Sequence, residues 1–280
     1  MNYITLNNGT KIPAAGIGTF MMEPADAEAA SLSAIQQGYE MIDTANAYMN
    51  EKAVGRAVKA SGKAREDLYI STKLWPSVYK TADEAIDETL ARIDMDYIDL
   101  LFLHQPVGDY VGAYKAMEQA VKDGKVKSLG LSNFSKEQVE EIIEKCEIRP
   151  AVLQVEAHPY YPQNELKEAF PDIHLMAWYP LGHGDKALQQ EPIFATLAEK
   201  YNKSTAQIIL RWHTQVGNIV IPGSKNSAHI KDNIDIFDIT LTDEELNEIA
   251  KLNNGKAYYK ATKAALLGYL AYRPNFDKQD

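Results

Sequence analysis

Eight short apolar or β-branched runs recur along the chain, at Ala14–Gly18, Glu40–Asp43, Leu68–Lys73, Tyr97–His104, Val126–Leu131, Val152–Val155, His174–Trp178 and Ile219–Ile221. Between them lie stretches with helical spacing: Pro24–Gln37, Asn50–Ser61, Ala82–Arg92, Gly112–Lys122, Lys136–Cys146, Gln163–Ala169, and the pair Ile193–Tyr201 and Ser204–Gln215. Such alternation predicts βαβ units and a parallel sheet. With no Pro-, Gly- or Ser-rich linker to divide the units, a closed (β/α)8 barrel is favoured over two doubly wound halves, with residues 1–280 as a single domain. Thr81 and Ser135 stand where the helices they precede need a cap.

Two segments lie outside this rhythm. The opening YITLNNGTKIPAAGIG reads as a hairpin with a two-residue turn at Asn8-Gly9. After the last strand come a helix at Asn226–Asn233, a capping-box string Thr242-Asp243-Glu244-Glu245 opening another helix near Lys251, and an irregular tail carrying Tyr258, Tyr259, Tyr269 and Tyr272. That tail has two possible courses, over the barrel mouth as a lid or along the bottom face.

The composition is that of an ordinary globular protein, 45% hydrophobic and 24% charged. A net charge of -10 with no basic run argues against nucleic acid and anionic membranes as partners. The single cysteine, Cys146, allows no internal disulfide and no Cys-rich zinc site, which fits a cytoplasmic protein. No stretch reaches the roughly 18 apolar residues of a membrane span, and the start lacks a signal-peptide core.

Four ionisable residues sit at or just beyond the carboxyl ends of consecutive runs. Asp43 ends GYEMID, Tyr48 follows across a polar turn, Lys73 lies in STKLW, and His104 ends DLLFLH. Each alone has an ordinary structural explanation; Tyr48 is one of 16 tyrosines. Lys73 is the hardest to explain that way, because a lysine among strand residues needs a partner, and Asp43 can supply it. In a barrel all four can meet at the mouth. The set suits protonation of a carbonyl oxygen: Tyr48 as acid, its value drawn down by an ammonium that a carboxylate holds, and His104 orienting the carbonyl. No side chain can supply a hydride, so a reduction needs a cofactor.

Other chemistries fit less well. Gly16-Ile17-Gly18 lacks the third glycine of a Rossmann fingerprint. The six histidines show neither His-x-His nor His-Glu-x-x-His spacing, so no catalytic metal is expected and a metal-dependent barrel hydrolase is disfavoured. There is no Gly-x-Ser-x-Gly elbow.

Over nearly its full length the sequence resembles the aldo-keto reductases, bacterial members reducing diketogluconate or methylglyoxal in particular. GYEMIDTANAYMNE resembles the first family signature and GKVKSLGLSNF the second, with STKLW and DLLFLHQP between them. The resemblance implies Asp43, Tyr48, Lys73 and His104 as the catalytic four and an NADP(H) cofactor extended across the barrel mouth. It assigns Ser132, Asn133 and Gln154 to the carboxamide, Trp178 to stacking on the nicotinamide, Tyr179 to a position where serine is common, Leu181 to the pyrophosphate, and Gly18 and Thr19 to the ribose. Phe20, Trp75 and Gln105 join Tyr48 and His104 around a small carbonyl substrate.

Departures from the family pattern narrow the expectation. Glu40 replaces an arginine, while Phe20 and Gln105 stand where many members have tryptophan. In IPGSKNSAHIKDN, Gly223 and His229 occupy the places of the two cations that bind the adenosine 2′-phosphate. Lys225, with Ser224, Asn226 and Asn233, remains to hold it. NADP(H) use with unusual tolerance of NAD(H) is the expectation, because charge-assisted bonds are the strong ones. The chain is expected to be a monomer or weak homo-oligomer that reduces aldehydes and ketones, the alternative being a cofactor-binding regulatory barrel with little turnover.

Overall fold

Short parallel strands pair in the order in which they occur. In the computed structural model, which describes residues 1–280, an N-terminal hairpin of β1 (Tyr3–Thr5) and β2 (Lys11–Pro13) precedes eight parallel strands: β3 (Ile17–Gly18), β4 (Met41–Asp43), β5 (Tyr69–Leu74), β6 (Ile98–Leu103), β7 (Val126–Ser132), β8 (Val152–Glu156), β9 (His174–Trp178) and β10 (Ile219–Val220). The first and last of the eight meet through a parallel bridge of Ala15 with Val220, with Gly16 N–H donating to Val220 O at 2.9 Å. The barrel is therefore closed, and the expected run at Ala14–Gly18 serves partly as this closure.

The interior is filled by Met41, Leu100, Phe102, Val152, Met176 and Ile219, with Leu6 and Ile12 entering from the hairpin. Gly130 makes room for Phe102, since a Cβ there would lie 2.4 Å from the ring. The hairpin thus plugs the bottom of the barrel, tied down where Asn7 Nδ2 donates to Pro150 O and Asn8 Nδ2 to Ser128 Oγ. Its pairing corrects one expectation. Thr5 faces Lys11, so the loop spans Leu6 to Thr10 rather than the two residues Asn8-Gly9. Asn8 spends its side chain on Thr10 and the barrel floor, and Gly9 takes the left-handed φ of 83° that the longer loop needs.

The helices are α1 (Pro24–Gln36), α2 (Glu51–Ser61), α3 (Ala82–Ile93), α4 (Tyr110–Lys122), α5 (Lys136–Lys145), α6 (Asn164–Ala169), α7 (Lys186–Gln189), α8 (Pro192–Tyr201), α9 (Thr205–Gln215), α10 (Ser227–Ile234) and α11 (Asp243–Ala250), followed by α12 (Lys263–Ala271) at the mouth. Strands β4, β5, β6 and β8 are buried along their whole length, as parallel strands covered on both faces must be. Ser135 and Thr242 form capping boxes with Gln138 and Glu245. Thr81 makes no capping bond, because a 3₁₀ stretch at Pro76–Thr81 runs directly into α3. Helix α12 was not expected; its apolar KAALLGYLA lacks the amphipathic period that marks a helix, and none of its residues is buried. No helix is long and apolar enough to cross a membrane.

The last residues run back along α2 and α3. Arg92 bridges buried Glu51 and Asp277, at 2.8 and 3.0 Å, and Lys52 N–H donates to the side chain of Gln279.

Candidate active site

Residues separated by up to 111 positions meet on the carboxylate of Asp43, which ends β4 and is 2% exposed. Its Oδ2 accepts from Lys73 Nζ at 2.6 Å, and its Oδ1 accepts from Ser71 Oγ at 2.7 Å and Gln154 Nε2 at 3.0 Å. Lys73, on β5 and wholly buried, also donates to Thr44 O at 2.7 Å. Burial pulls the Lys73 ammonium below its ordinary value, with the negative charges of Asp43 and Glu51 opposing the shift.

Tyr48 lies in a 3₁₀ turn directly after β4, and the left-handed Met49 behind it turns the chain into α2. Its ring sits across the Lys73 ammonium, 4.9 Å from Nζ to the centroid, and edge-on to His104 at 5.5 Å. All four expected residues therefore converge. One expected effect does not follow. Lys73 faces the Tyr48 ring, and burial together with the charges of Asp43 and Tyr179 pushes the phenol well above its ordinary value instead of drawing it down. The ring is half-buried by exposed surface yet packed deep among side chains, and the upward direction follows from that packing. His104, just past β6, is pushed well below its ordinary value by burial and by Lys73, so its imidazole is neutral. Its Nδ1 is buried without a partner.

These groups open into a cavity of about 720 Å³ at the carboxyl ends of the strands. Gly18, Phe20, Trp75, Gln105, Ser132, Asn133, Gln154, Trp178, Tyr179, Leu181 and Gly223 line it with Asp43, Tyr48 and His104. The indole of Trp178 is fixed by donating from Nε1 to Asn133 Oδ1 at 3.0 Å, and Asn133, held at a left-handed φ of 67°, donates in turn to His104 O. Gly18 and Gly223 press two loops together: a Cβ on Gly18 would lie 2.8 Å from Ile221 O, and one on Gly223 2.9 Å from Gly18 O. Main chain rather than side chain forms the rim there.

Several expected cofactor residues stand apart from this cavity. Thr19 is wholly buried with its hydroxyl donating to Asp43 O, and Asn233 is buried in α10. Ser224, Lys225, Asn226 and His229 are outside, at the start of α10, where Asn226 caps Ala228 N–H and Lys225 pairs with Asp26 at 2.6 Å. Sequence reasoning missed Ala47, Pro180, His183, Gly184, Gln189, Ile221 and Pro222 on the cavity wall. The Tyr179–Gly184 loop offered a signal in its glycines, and its path depends on left-handed φ at Tyr179, Gly182, His183 and Gly184. Of the two courses open to the tail, the structure takes the one over the mouth: Tyr258, Tyr259, Tyr269 and Tyr272 line the cavity, and Trp75 Nε1 donates to Tyr269 O and Tyr272 O at 3.0 and 3.1 Å.

A phenol and a neutral imidazole face one cavity at the mouth of a parallel barrel, an arrangement chemically able to polarise and protonate a carbonyl oxygen. Residues 14–254 match the aldo/keto reductase family, and the chain belongs to that family. It is 41% identical over 256 residues to the glyoxal reductase of Bacillus subtilis, covering 89% of this chain and 92% of that protein. It is 39% identical over 258 residues to methylglyoxal reductase DkgA of Salmonella typhimurium, covering 90% and 94%. A crystal structure of an aldo/keto reductase from Brucella melitensis superposes with a TM-score of 0.86 at 40% identity, over 90% of this chain and 99% of that one. The protein is an oxidoreductase acting on carbonyl groups.

Proposed function

We propose that the protein reduces aldehydes and ketones to alcohols with NADPH, that Tyr48 is the proton donor, and that NADH is accepted unusually well. The observation that carries the reading is the convergence of Tyr48 and His104 on one cavity above the buried Asp43–Lys73 pair. The donor set suits the cofactor: Ser132, Asn133 and Gln154 offer hydroxyl and amide groups to a carboxamide, Trp178 offers a fixed flat face, and the small residues Gly18 and Gly223 leave the rim open to an extended ligand. When bound, the reduced nicotinamide supplies the hydride.

The chain's own residues do the rest. Neutral His104 donates one ring N–H to the carbonyl oxygen and orients it. With Nδ1 buried, Nε2 is the nitrogen left for that purpose. Tyr48 then gives its hydroxyl proton to the oxygen as negative charge builds there, so no alkoxide is released. Lys73 stabilises the tyrosinate left behind, and Asp43 keeps Lys73 beneath the ring. Aromatic walls exclude water from this exchange.

Small reactive dicarbonyls are the proposed substrates, on the strength of relatives named for glyoxal and methylglyoxal reduction. We place the reaction in the cytoplasm, as the lone Cys146 suggests, and take the chain to be a single-domain monomer or weak oligomer. A carbonyl panel run with both cofactors tests the reading. Turnover of dicarbonyls with NADPH, and with NADH within about a hundredfold in kcat/KM, is expected; a several-thousandfold NADPH preference refutes the cofactor tolerance. A regulatory barrel without turnover has no observation in its favour.

A further inference from the structure

One buried carboxylate near the cavity has no part in this chemistry. Glu156 is the last residue of β8, at the mouth end, and only 4% exposed. Its Oε1 accepts from His158 Nε2 at 2.9 Å and from Tyr258 N–H at 2.7 Å, and its Oε2 accepts from Tyr259 N–H at 2.8 Å. Two of the three donors are main-chain amides of a segment more than a hundred positions along the chain. Removing that segment strips a buried charge of most of its donors, so the carboxylate and the tail hold each other.

The two anchored residues point their side chains to different parts of the mouth. Tyr259 stands edge-on to Trp178, with ring centroids 5.6 Å apart, and its hydroxyl lies 3.5 Å from Gln105 Oε1. Tyr258 donates from its hydroxyl to Asp185 Oδ2 at 2.5 Å, where Lys256 Nζ also binds at 2.6 Å. Asp185 follows the loop in which Tyr179, Gly182, His183 and Gly184 are left-handed, and it caps α7. A carboxylate set on a rigid strand thereby holds both the tail and, through Tyr258, the opposite loop.

We infer that Glu156 is a positioning residue for carbonyl reduction: it pins the Tyr258–Tyr259 step so that Tyr259 walls the substrate end of the cavity and Tyr258 restrains the 179–185 loop. The inference rests on the reading that the carbonyl binds between Tyr48 and the tail. Glu156→Gln preserves size but sets an NH₂ group against at least one of the three donors.

In that variant the amides of Tyr258 and Tyr259 exchange with solvent at least ~10-fold faster while those of β5 and β6 are unchanged, and KM for the carbonyl rises ~10-fold or more with kcat within about threefold. Unaltered exchange at both amides, or a fall in kcat at constant KM, overturns the inference. If Glu156→Gln does not fold, the unmodified protein still decides. Tyr258 and Tyr259 amides are protected while those of Ala257 and Lys260, which donate to nothing, exchange freely; equal exchange at all four overturns it. The exchange measurement needs no substrate, so it separates failure of this tether from failure of the carbonyl reading, which Tyr48→Phe tests.

Discussion

Lys73 Nζ donates to Asp43 Oδ2 at 2.6 Å, with both groups sealed beneath the ring of Tyr48. A pair so buried has no water to replace a lost partner. Lys73→Met leaves the carboxylate with only Ser71 and Gln154 as donors, and the expected cost is about 3–5 kcal/mol of folding stability, read by denaturant unfolding. Adding Asp43→Asn to that variant should recover part of the loss, since the stranded charge is then gone.

Tyr48 should behave as an acid that stays protonated across the working range. Its folded value is raised, so the proton-donating form persists above neutrality, and kcat/KM for reduction should show no loss from Tyr48 ionisation between pH 7 and about 9. A basic limb falling in that window in the wild type would overturn it. Tyr48→Phe should lower kcat roughly 10²–10⁴-fold with cofactor affinity nearly unchanged; retention of more than about a tenth of kcat removes the residue from its role.

His213 sits wholly buried between Pro180 O, to which its Nε2 donates at 3.0 Å, and Asn218, 3.0 Å from Nδ1. Burial lowers its value to about 3, so the unfolded chain takes up a proton near pH 6.5 that the folded chain refuses. Stability present above that pH is lost as pH falls toward 3, at a rate approaching about 1.4 kcal/mol per pH unit. Neutral His104 adds to the same slope. His213→Gln, able to make both bonds without titrating, should remove one proton's worth of slope between pH 6 and 4 in unfolding measurements.

On the proposed NADPH reading, the Lys225–Asp26 pair is the place to test cofactor choice. Both side chains are about half exposed, 55% and 44%, and Asp26 competes for the one cation left beside the start of α10. Asp26→Asn should strengthen NADPH binding relative to NADH by up to about fivefold, the worth of an exposed pair, and Lys225→Ala should reverse the sign. Direct titration of each cofactor by fluorescence checks both. Equal changes for the two cofactors would place the 2′-phosphate elsewhere.

The order of strands and helices was legible because both periods are local. A run such as DLLFLH advertises a strand covered on both faces, and Ser135 with Gln138 advertises a helix start, whatever lies elsewhere. Asp43, Tyr48, Lys73 and His104 were legible for the same reason: each stands at the end of a readable strand, and a parallel barrel brings those ends to one mouth. Helix α12 was not, since an apolar helix lying exposed across the mouth shows no alternation of faces.

The stretch GYEMIDTANAYMNE, Gly38 to Glu51, shows the division. That stretch by itself determined that a carboxylate and a phenol would sit together where a strand ends. Tertiary structure decided how they act: Asp43 turns inward to Lys73, Ser71 and Gln154, and the packing around Tyr48 raises its value where an ammonium alone would lower it. It also decided the course of the tail, through a carboxylate on β8 and two amides a hundred positions later. Local pattern sets which groups a strand end can offer. Desolvation and long-range hydrogen bonds, which depend on every element packed around those groups, set their charge and their partners.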